Sequence, residues 1–522
     1  MRSFTTVVTA FCGLVLSSSS IVSAKPTSES NLLPADFKPP QVFKNVNLVR
    51  STNLEKSYAR ETINVVVENV DKQPQSEYYL SFPSDVFERV GGLEVRNKKH
   101  AEKGRLDVEA AEVDAASDFQ YFIVHLPEPL APSSQLTLGI SYSLLNSLQP
   151  RPAAIEQSDR QFLTYSFSAY VPSAYQTVSQ KTKVKFPSAN IPDYTTTDLK
   201  TGADPERQGT TYTYGPYDTV KVAPGTSYAI TVRYEFTKPV ITASLLERDL
   251  EVSHWGGNLA TEERYWLRNN GSKLLTQFSR VDYTVANYQQ SPSTAIKELK
   301  YPLKPGSVDP YFIDDIGNVS TSRYRPGLKN REANLEFKPR YPVFGGWNYS
   351  FRLGWNNDLS SFLRRAVSSD DSYILKVPFL EGPKMGEGIQ YEKVVLRVVL
   401  PEGARNVRYE TVEGSSSNGL PSASQIQASL STHKTFMDTL GRTALTLTVE
   451  SLTDEARDSQ LVVRTPTFSR HGLQQSLTWE QVTYDYSFWD GMRKPITITI
   501  GLFSVFAAAW AITNIDVSIK KR

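Results

Sequence analysis

Cysteine is nearly absent: the 522 residues contain one, Cys12, close to the amino terminus. The rest of the chain is therefore held by packing rather than by disulfides, which excludes a small disulfide-stapled module. Histidine is scarce too. The five, His100, His125, His254, His433 and His471, lie far apart in sequence and read as structural residues rather than a ligand set. No HExxH, Walker A loop, GxGxxG, GxSxG or CxxC occurs, so the commonest metal, nucleotide and hydrolase signatures are missing. An adjacent carboxylate pair, Asp314-Asp315, falls in the turn-forming string IDDIGN. Neighbouring side chains on extended chain point apart, so the pair reads as a solvated loop. An excess of either charge is missing as well, at net +2, and no dense basic patch points to nucleic acid.

What the chain does contain is one long apolar run, Pro495 to Ile515, without a charged residue. At about 1.5 Å per helical residue it reaches roughly 30 Å, the thickness of a bilayer's hydrocarbon core. Arg493 and Lys494 precede it, and Lys520, Lys521 and Arg522 follow it. A buried core helix is the alternative reading. At the other end, Met1-Arg2, the apolar segment Phe4 to Leu16 and the small residues Val22-Ser23-Ala24 have the form of a secretory signal cleaved between Ala24 and Lys25. The expected topology is a single-pass type I membrane protein with nearly all of the mature chain lumenal. The basic tail agrees weakly with the positive-inside bias.

The composition of the whole chain, 39% hydrophobic and 11% aromatic with 27 Tyr and 24 Phe, points to a folded segment between signal and span. This length exceeds what one core organises, so two domains are expected. Period-two runs such as Thr62 to Glu68, Phe119 to Leu126, Leu136 to Tyr142 and Tyr228 to Phe236, separated by Pro, Gly, Asn and Asp, predict antiparallel β-sandwiches. The fold class is mainly β: two lumenal sandwich-like domains followed by one transmembrane α-helix. The expected order is signal peptide 1–24, flexible lead-in 25–40, first domain 41–237, second domain 238–475, aromatic juxtamembrane segment 476–494, span 495–515 and cytosolic tail 516–522. Within the second domain, Phe278 to Thr284 reads as a strand, Asp358 as the cap of a short helix over Leu359 to Ala366, and Ser415 to His433 as an exposed insertion.

Three N-x-Ser sequons, Asn270-Gly-Ser, Asn318-Val-Ser and Asn348-Tyr-Ser, are candidate N-glycosylation sites. Asn318 ranks first, in loop-like sequence beside Gly317. Asn348 ranks last, between Trp347 and Tyr349. On a helical wheel the span places Gly501, Ser504, Ala508 and Ala511 on one side and Phe503, Phe506 and Trp510 opposite. The small face suits close approach of a partner helix.

Several strings, taken in order, resemble the ribophorin I family: Tyr214-Gly215-Pro216, Val252-Ser253-His254-Trp255, Ile316-Gly317-Asn318-Val319-Ser320-Thr321-Ser322, Pro339-Arg340-Tyr341-Pro342-Val343-Phe344-Gly345-Gly346-Trp347-Asn348-Tyr349 and Gly354-Trp355. The Asn-Tyr-Ser form resembles the fungal branch. The resemblance implies a non-catalytic subunit of the endoplasmic reticulum oligosaccharyltransferase, which transfers a preassembled oligosaccharide from dolichyl diphosphate to Asn-x-Ser/Thr of nascent proteins. It also implies, as partners, the catalytic subunit, small membrane subunits of the complex and nascent polypeptides. Catalytic carboxylates and metal belong to another subunit of that complex, so no catalytic residue and no cofactor is expected here. Phe488-Trp489-Asp490 resembles the Trp-Trp-Asp string of that catalytic subunit, but an aromatic anchor at the membrane surface is the simpler reading. Ile519 stands where a dilysine retrieval signal requires lysine, so retention is expected from complex membership. The competing classes are a membrane-tethered hydrolase and a free-standing lectin or chaperone-like module.

Overall fold

A computed structural model describes residues 31–514, apart from 35–36, 100–103, 113–116, 219–221, 329–330, 366–370, 413–424, 436–437, 459 and 463–481. The expected cleavage site at Ala24 and Lys25 and the tail from Asp516 lie outside the described residues.

Alternation in sequence becomes alternation in burial. Ala59–Asn69 buries every second side chain along its whole length, as a strand with one face in a core must. It lies inside a seven-stranded sheet with Phe43–Asn53 on one side and Gln135–Leu144 on the other. Two smaller sheets each contribute to a separate core. Phe43, Leu48, Ile63, Val65 and Val67 pack with Tyr78, Phe82, Phe122 and Val124. Leu54, Ala59, Val184 and Phe186 pack with Leu163, Tyr165, Val232 and Tyr234. Between the two, the Glu61 carboxylate accepts from the hydroxyls of Tyr142, Tyr165 (2.9 Å) and Thr52 (3.2 Å), 4.0 Å from the Arg50 guanidinium. A buried carboxylate is tolerated here because each oxygen has a donor.

A third core begins at Ile241. Its frame is an eight-stranded sheet in which Ile241–Ser253 and Asn258–Asn269 form a long hairpin flanked by Gln390–Glu402 and Asn348–Asp358. Inside it, Arg248 is paired with both Glu263 and Glu381. The Glu263 carboxylate also accepts from Tyr265 (2.8 Å) and Tyr301. Backbone and side chain join this unit to the preceding one: Ser57 N–H donates to the Glu387 carbonyl (2.7 Å), Gln390 Nε2 to the Ser57 carbonyl (2.8 Å), and Lys56 pairs with Asp454 (3.1 Å).

Most strand pairs are antiparallel, but Gln176–Lys185 runs parallel to Phe43–Asn53, and Ile241–Ser253 parallel to Gln390–Glu402. Three local expectations are corrected. Phe278 to Thr284 is no strand: a helix runs over Arg280–Tyr288, because Ser279 Oγ accepts from the Asp282 N–H and caps its start. Asp358 does cap a turn, accepting from Ser360 N–H at 2.8 Å, but that turn covers only Leu359–Ser361, after which Leu363–Arg365 pairs with Ser372–Pro378. Gln427–His433, expected inside an exposed insertion, is the outer strand of the eight-stranded sheet, paired with Arg442–Thr453.

The last element is a helix, Phe488–Asn514, and from Ile496 onward its side chains are exposed. A core helix would be buried, so the apolar run is shaped to cross a membrane.

A candidate site where the helix leaves the folded units

The helix begins with a reciprocal cap. Ser487 Oγ accepts from the Asp490 N–H (3.3 Å), while the Asp490 carboxylate accepts from the Ser487 N–H (3.2 Å) and hydroxyl (2.7 Å). This is the capping-box arrangement, with Asp in the position where Glu or Gln is usual. The Asp490 carboxylate also receives Arg405 (3.1 Å) and Arg493 (3.3 Å). Gly403 makes room for it: its φ is +98°, and a β-carbon there would stand 2.8 Å from Asp490. The Asp of the Phe-Trp-Asp string is thus committed to starting a helix. Ser-x-x-Asp before an apolar run was the sequence signal for this box, and the reading of Phe488 and Trp489 as an anchor passed over it.

One turn on, Lys494 donates to Asp438 at 2.7 Å. The Asp438 side chain is fully buried and also accepts from the Thr435 hydroxyl (2.7 Å) and N–H (2.8 Å), with Arg442 at 3.3 Å. Burial disfavours its charge, but the bonds from Lys494 and Thr435 outweigh that and hold its pKa below the usual carboxylate range.

The tip of the long hairpin also meets the start of the helix. His254 is enclosed by the rings of Tyr486, Tyr373 and Tyr484, with centroids 4.6, 4.8 and 5.7 Å away, and its Nε2 is hydrogen-bonded to the Tyr484 hydroxyl. Burial lowers its pKa to about 4, so it is neutral at physiological pH. Trp255 follows, and its indole N–H donates to the Gly491 carbonyl at 2.9 Å. In a helix that carbonyl would bond the N–H of residue 495, but Pro495 has none. The Trp255 indole supplies the missing donor.

The sequons differ in surroundings. Asn318 is exposed at the edge of the eight-stranded sheet. Asn348, ranked last from sequence, is also exposed, because Trp347 turns to Phe278, Tyr341 and Phe344 while Tyr349 is buried. Asn270 is half-buried, its amide donating to Thr242 Oγ1 (3.0 Å) and Asn146 Oδ1 (3.4 Å). Asp314 is no solvated loop residue. It is buried, receives Arg340 through two bonds of 2.7 and 2.8 Å, and caps the turn through the N–H groups of Ile316 and Gly317 (3.0 Å each). Asp315 is exposed, as expected for a turn. Gly501, Ser504, Ala508 and Ala511 lie exposed along the helix. Among the described residues no group of three His, Cys, Asp or Glu is placed to hold a metal.

Among the described residues, β-rich units clamped onto the start of one exposed apolar helix fit the class of membrane proteins with a single span. A Ribophorin I family profile matches residues 43–513. The chain belongs to that family. It is 32% identical over 415 residues to the dolichyl-diphosphooligosaccharide–protein glycosyltransferase subunit 1 of Schizosaccharomyces pombe, covering 79% of this chain and 86% of that protein. With subunit 1B of Arabidopsis thaliana it shares 30% over 494 residues, covering 93% of this chain and 96% of the relative. Among solved structures, yeast LTA4 hydrolase with bestatin aligns over 44% of this chain and 33% of that one, at 9% identity and a TM-score of 0.27, too low for any argument.

Proposed function

We propose that the chain is subunit 1 of a dolichyl-diphosphooligosaccharide–protein glycosyltransferase and supports N-linked glycosylation without carrying its chemistry. The observation that carries this is a family match running from the first long strand into the apolar helix, with relatives of that printed name similar over most of both lengths. A structural role is supported by how the buried carboxylates are used. Asp314, Glu61, Glu263, Asp438 and Asp490 each hold two strands, two sheets or a helix start together. The clamp at Asp438 and Asp490 ties the orientation of the folded units to that of the helix, as a subunit that positions substrate beside a membrane-embedded catalytic partner requires.

In this reading the folded units face the endoplasmic reticulum lumen, and the partners are the catalytic subunit, small membrane subunits and nascent polypeptides. The pairing of Lys494 with Asp438 and Arg493 with Asp490 supports that orientation. It binds up the basic residues on the lumenal side, while the sequence places Lys520, Lys521 and Arg522 on the cytosolic side of the run. Purification of the tagged chain in mild detergent tests the proposal. A polytopic glycosyltransferase is expected in stoichiometric amount, whereas a solitary chain with hydrolytic activity would replace this reading with a tethered enzyme. Protease added outside sealed microsomes should remove only the tail, and loss of the folded units would invert the topology.

A further inference from the structure

Trp255 is 68% exposed although its N–H is bonded to the helix. The donor is used and the ring is left uncovered. Phe488 is 67% and Trp489 73% exposed, so three large aromatic faces stand uncovered around the first turn of the helix. In water each would leave much apolar area unburied, at roughly 25 cal/mol per Å².

Their level relative to the apolar run decides what covers them. Gly491, to which the Trp255 indole is bonded, lies four residues before Pro495, about 6 Å along a helix of 1.5 Å rise. The headgroup and interfacial zone adds about 5 to 7 Å on each side of the hydrocarbon core. Trp255 therefore stands at the depth where tryptophan, with an apolar ring and one polar N–H, is favoured. Beside it opens a groove of about 420 Å³ lined by His254, Trp255, Arg365, Tyr373, Phe488 and Met492.

We propose that the hairpin tip Ser253–Asn258 is a second membrane contact, with the Trp255 ring seated among the headgroups and upper acyl chains of the leaflet nearest the folded units. The occupant of this surface is the bilayer itself, continuous with the lipid that surrounds the helix. Two points far apart in sequence then touch one leaflet, and they restrict the tilt of the folded units as a single helix does not. The Gly491 carbonyl gains as well: a backbone acceptor without a partner is costlier as water thins out, and the indole fills it from the lipid side. The inference rests on the membrane span and not on subunit membership.

Cys12 is the one cysteine of the sequence, so in a Cys12→Ser background a single introduced cysteine is a unique label site. Gly256→Cys keeps Trp255 in place and is modified with an environment-sensitive fluorophore in the full chain reconstituted into phosphatidylcholine nanodiscs. Phe503→Cys in the span and Val70→Cys in the first folded unit serve as references. The expected result is blue-shifted emission at position 256, quenched by lipid spin-labelled at the headgroup and protected from aqueous iodide relative to position 70. Iodide quenching equal to that at position 70, with no lipid quenching, would overturn the proposal. Trp255→Phe in the labelled background separates the two roles of the residue: a Phe ring still seats in lipid, so lipid quenching should persist, and its loss would mean that the bond to Gly491 alone places the tip. A chain that copurifies with the glycosyltransferase yet stays open to iodide at 256 would refute the membrane contact and leave the subunit assignment standing.

Discussion

Lys494 and Asp438 meet at 2.7 Å, joining the last charged residue before the apolar run to a fully buried carboxylate 56 positions earlier. The pair fixes where the membrane helix leaves the folded unit. It also turns a charge that sequence alone reads as a water-seeking flank into half of an anchor.

Removing the buried partner should cost more than removing the exposed one. Asp438→Ala leaves the Thr435 donors unfilled, takes the nearer carboxylate from Lys494, which keeps only Glu402 at 3.8 Å, and leaves Arg442 with Glu251, so a loss of ~1–3 kcal/mol is expected. Lys494→Met should lose less, since the lysine side chain is 40% exposed and Asp438 keeps Thr435 and Arg442. Thermal unfolding of the detergent-purified chain ranks the two, and equal losses would show that the carboxylate is not the anchor.

The capping box predicts a second pair of effects. Ser487→Ala removes the acceptor for Asp490 N–H and should destabilise the first helical turn by ~1 kcal/mol. Gly403→Ala should be worse, because the residue sits at φ +98° and the new methyl would press on Asp490 at 2.8 Å. Hydrogen exchange at residues 488–491 reads both: faster exchange is expected in each variant, and unchanged exchange in Gly403→Ala would refute the close contact.

Two groups make stability depend on pH in separate windows. His254 is held neutral, with its pKa lowered by burial from 6.5 to about 4. The unfolded chain therefore takes up a proton first, and the stability tied to neutral His254 is full above pH 6.5 and lost as pH falls to about 4. Asp314 is held charged, chiefly by the Arg340 hydrogen bonds, at about 2 against an ordinary 3.8. Its contribution is full above about pH 4 and is lost between there and about 2. Urea midpoints should fall from pH 7 to 4.5 less in His254→Gln than in wild type. Asp314→Asn should differ from wild type at pH 6 and approach it near pH 2.

Exposure separates the three sequons. A glycan attached during synthesis must remain outside the folded surface, which suits Asn318 and Asn348 and conflicts with Asn270, whose amide is spent on Thr242 and Asn146. Glycosidase treatment of Asn318→Gln, Asn348→Gln and Asn270→Gln should show a smaller mobility shift for the first two than for wild type and no change for the third. An altered shift in Asn270→Gln alone would reverse this order.

Much of the architecture was legible because burial follows local periodicity. The strand over Thr62 to Glu68 and the exposed apolar helix both announce themselves within a few residues. The site was less so, because its contacts are long-range. Nothing near Trp255 in sequence says that its indole meets a carbonyl orphaned by Pro495, 240 residues on. Asp314 looked solvated beside Asp315 because the residue that buries it, Arg340, lies in another string. Arg340 belongs to one of the strings that carried the family resemblance, and Asp314 stands two residues before another, Ile316 to Ser322, so the ion pair ties the two regions together.

The span offers the last prediction. Gly501, Ser504, Ala508 and Ala511 share one face, and a side chain added at Gly501 would meet nothing of this chain within 4 Å, so that face is open to a partner. The Ser504 hydroxyl is returned to the Ile500 carbonyl at 2.8 Å within its own helix. It is therefore satisfied without a partner, and close approach on this face comes from small size rather than from an interhelical hydrogen bond. Replacing Gly501 and Ser504 together with Leu should separate the backbones and cost ~1 kcal/mol or more of packing with a partner helix. Phe506→Leu on the opposite side should be tolerated, because one apolar side chain there replaces another. Copurification with the membrane subunits in mild detergent is the readout. Association should weaken in the double variant and persist in Phe506→Leu, and the opposite pattern would place the partner on the aromatic face.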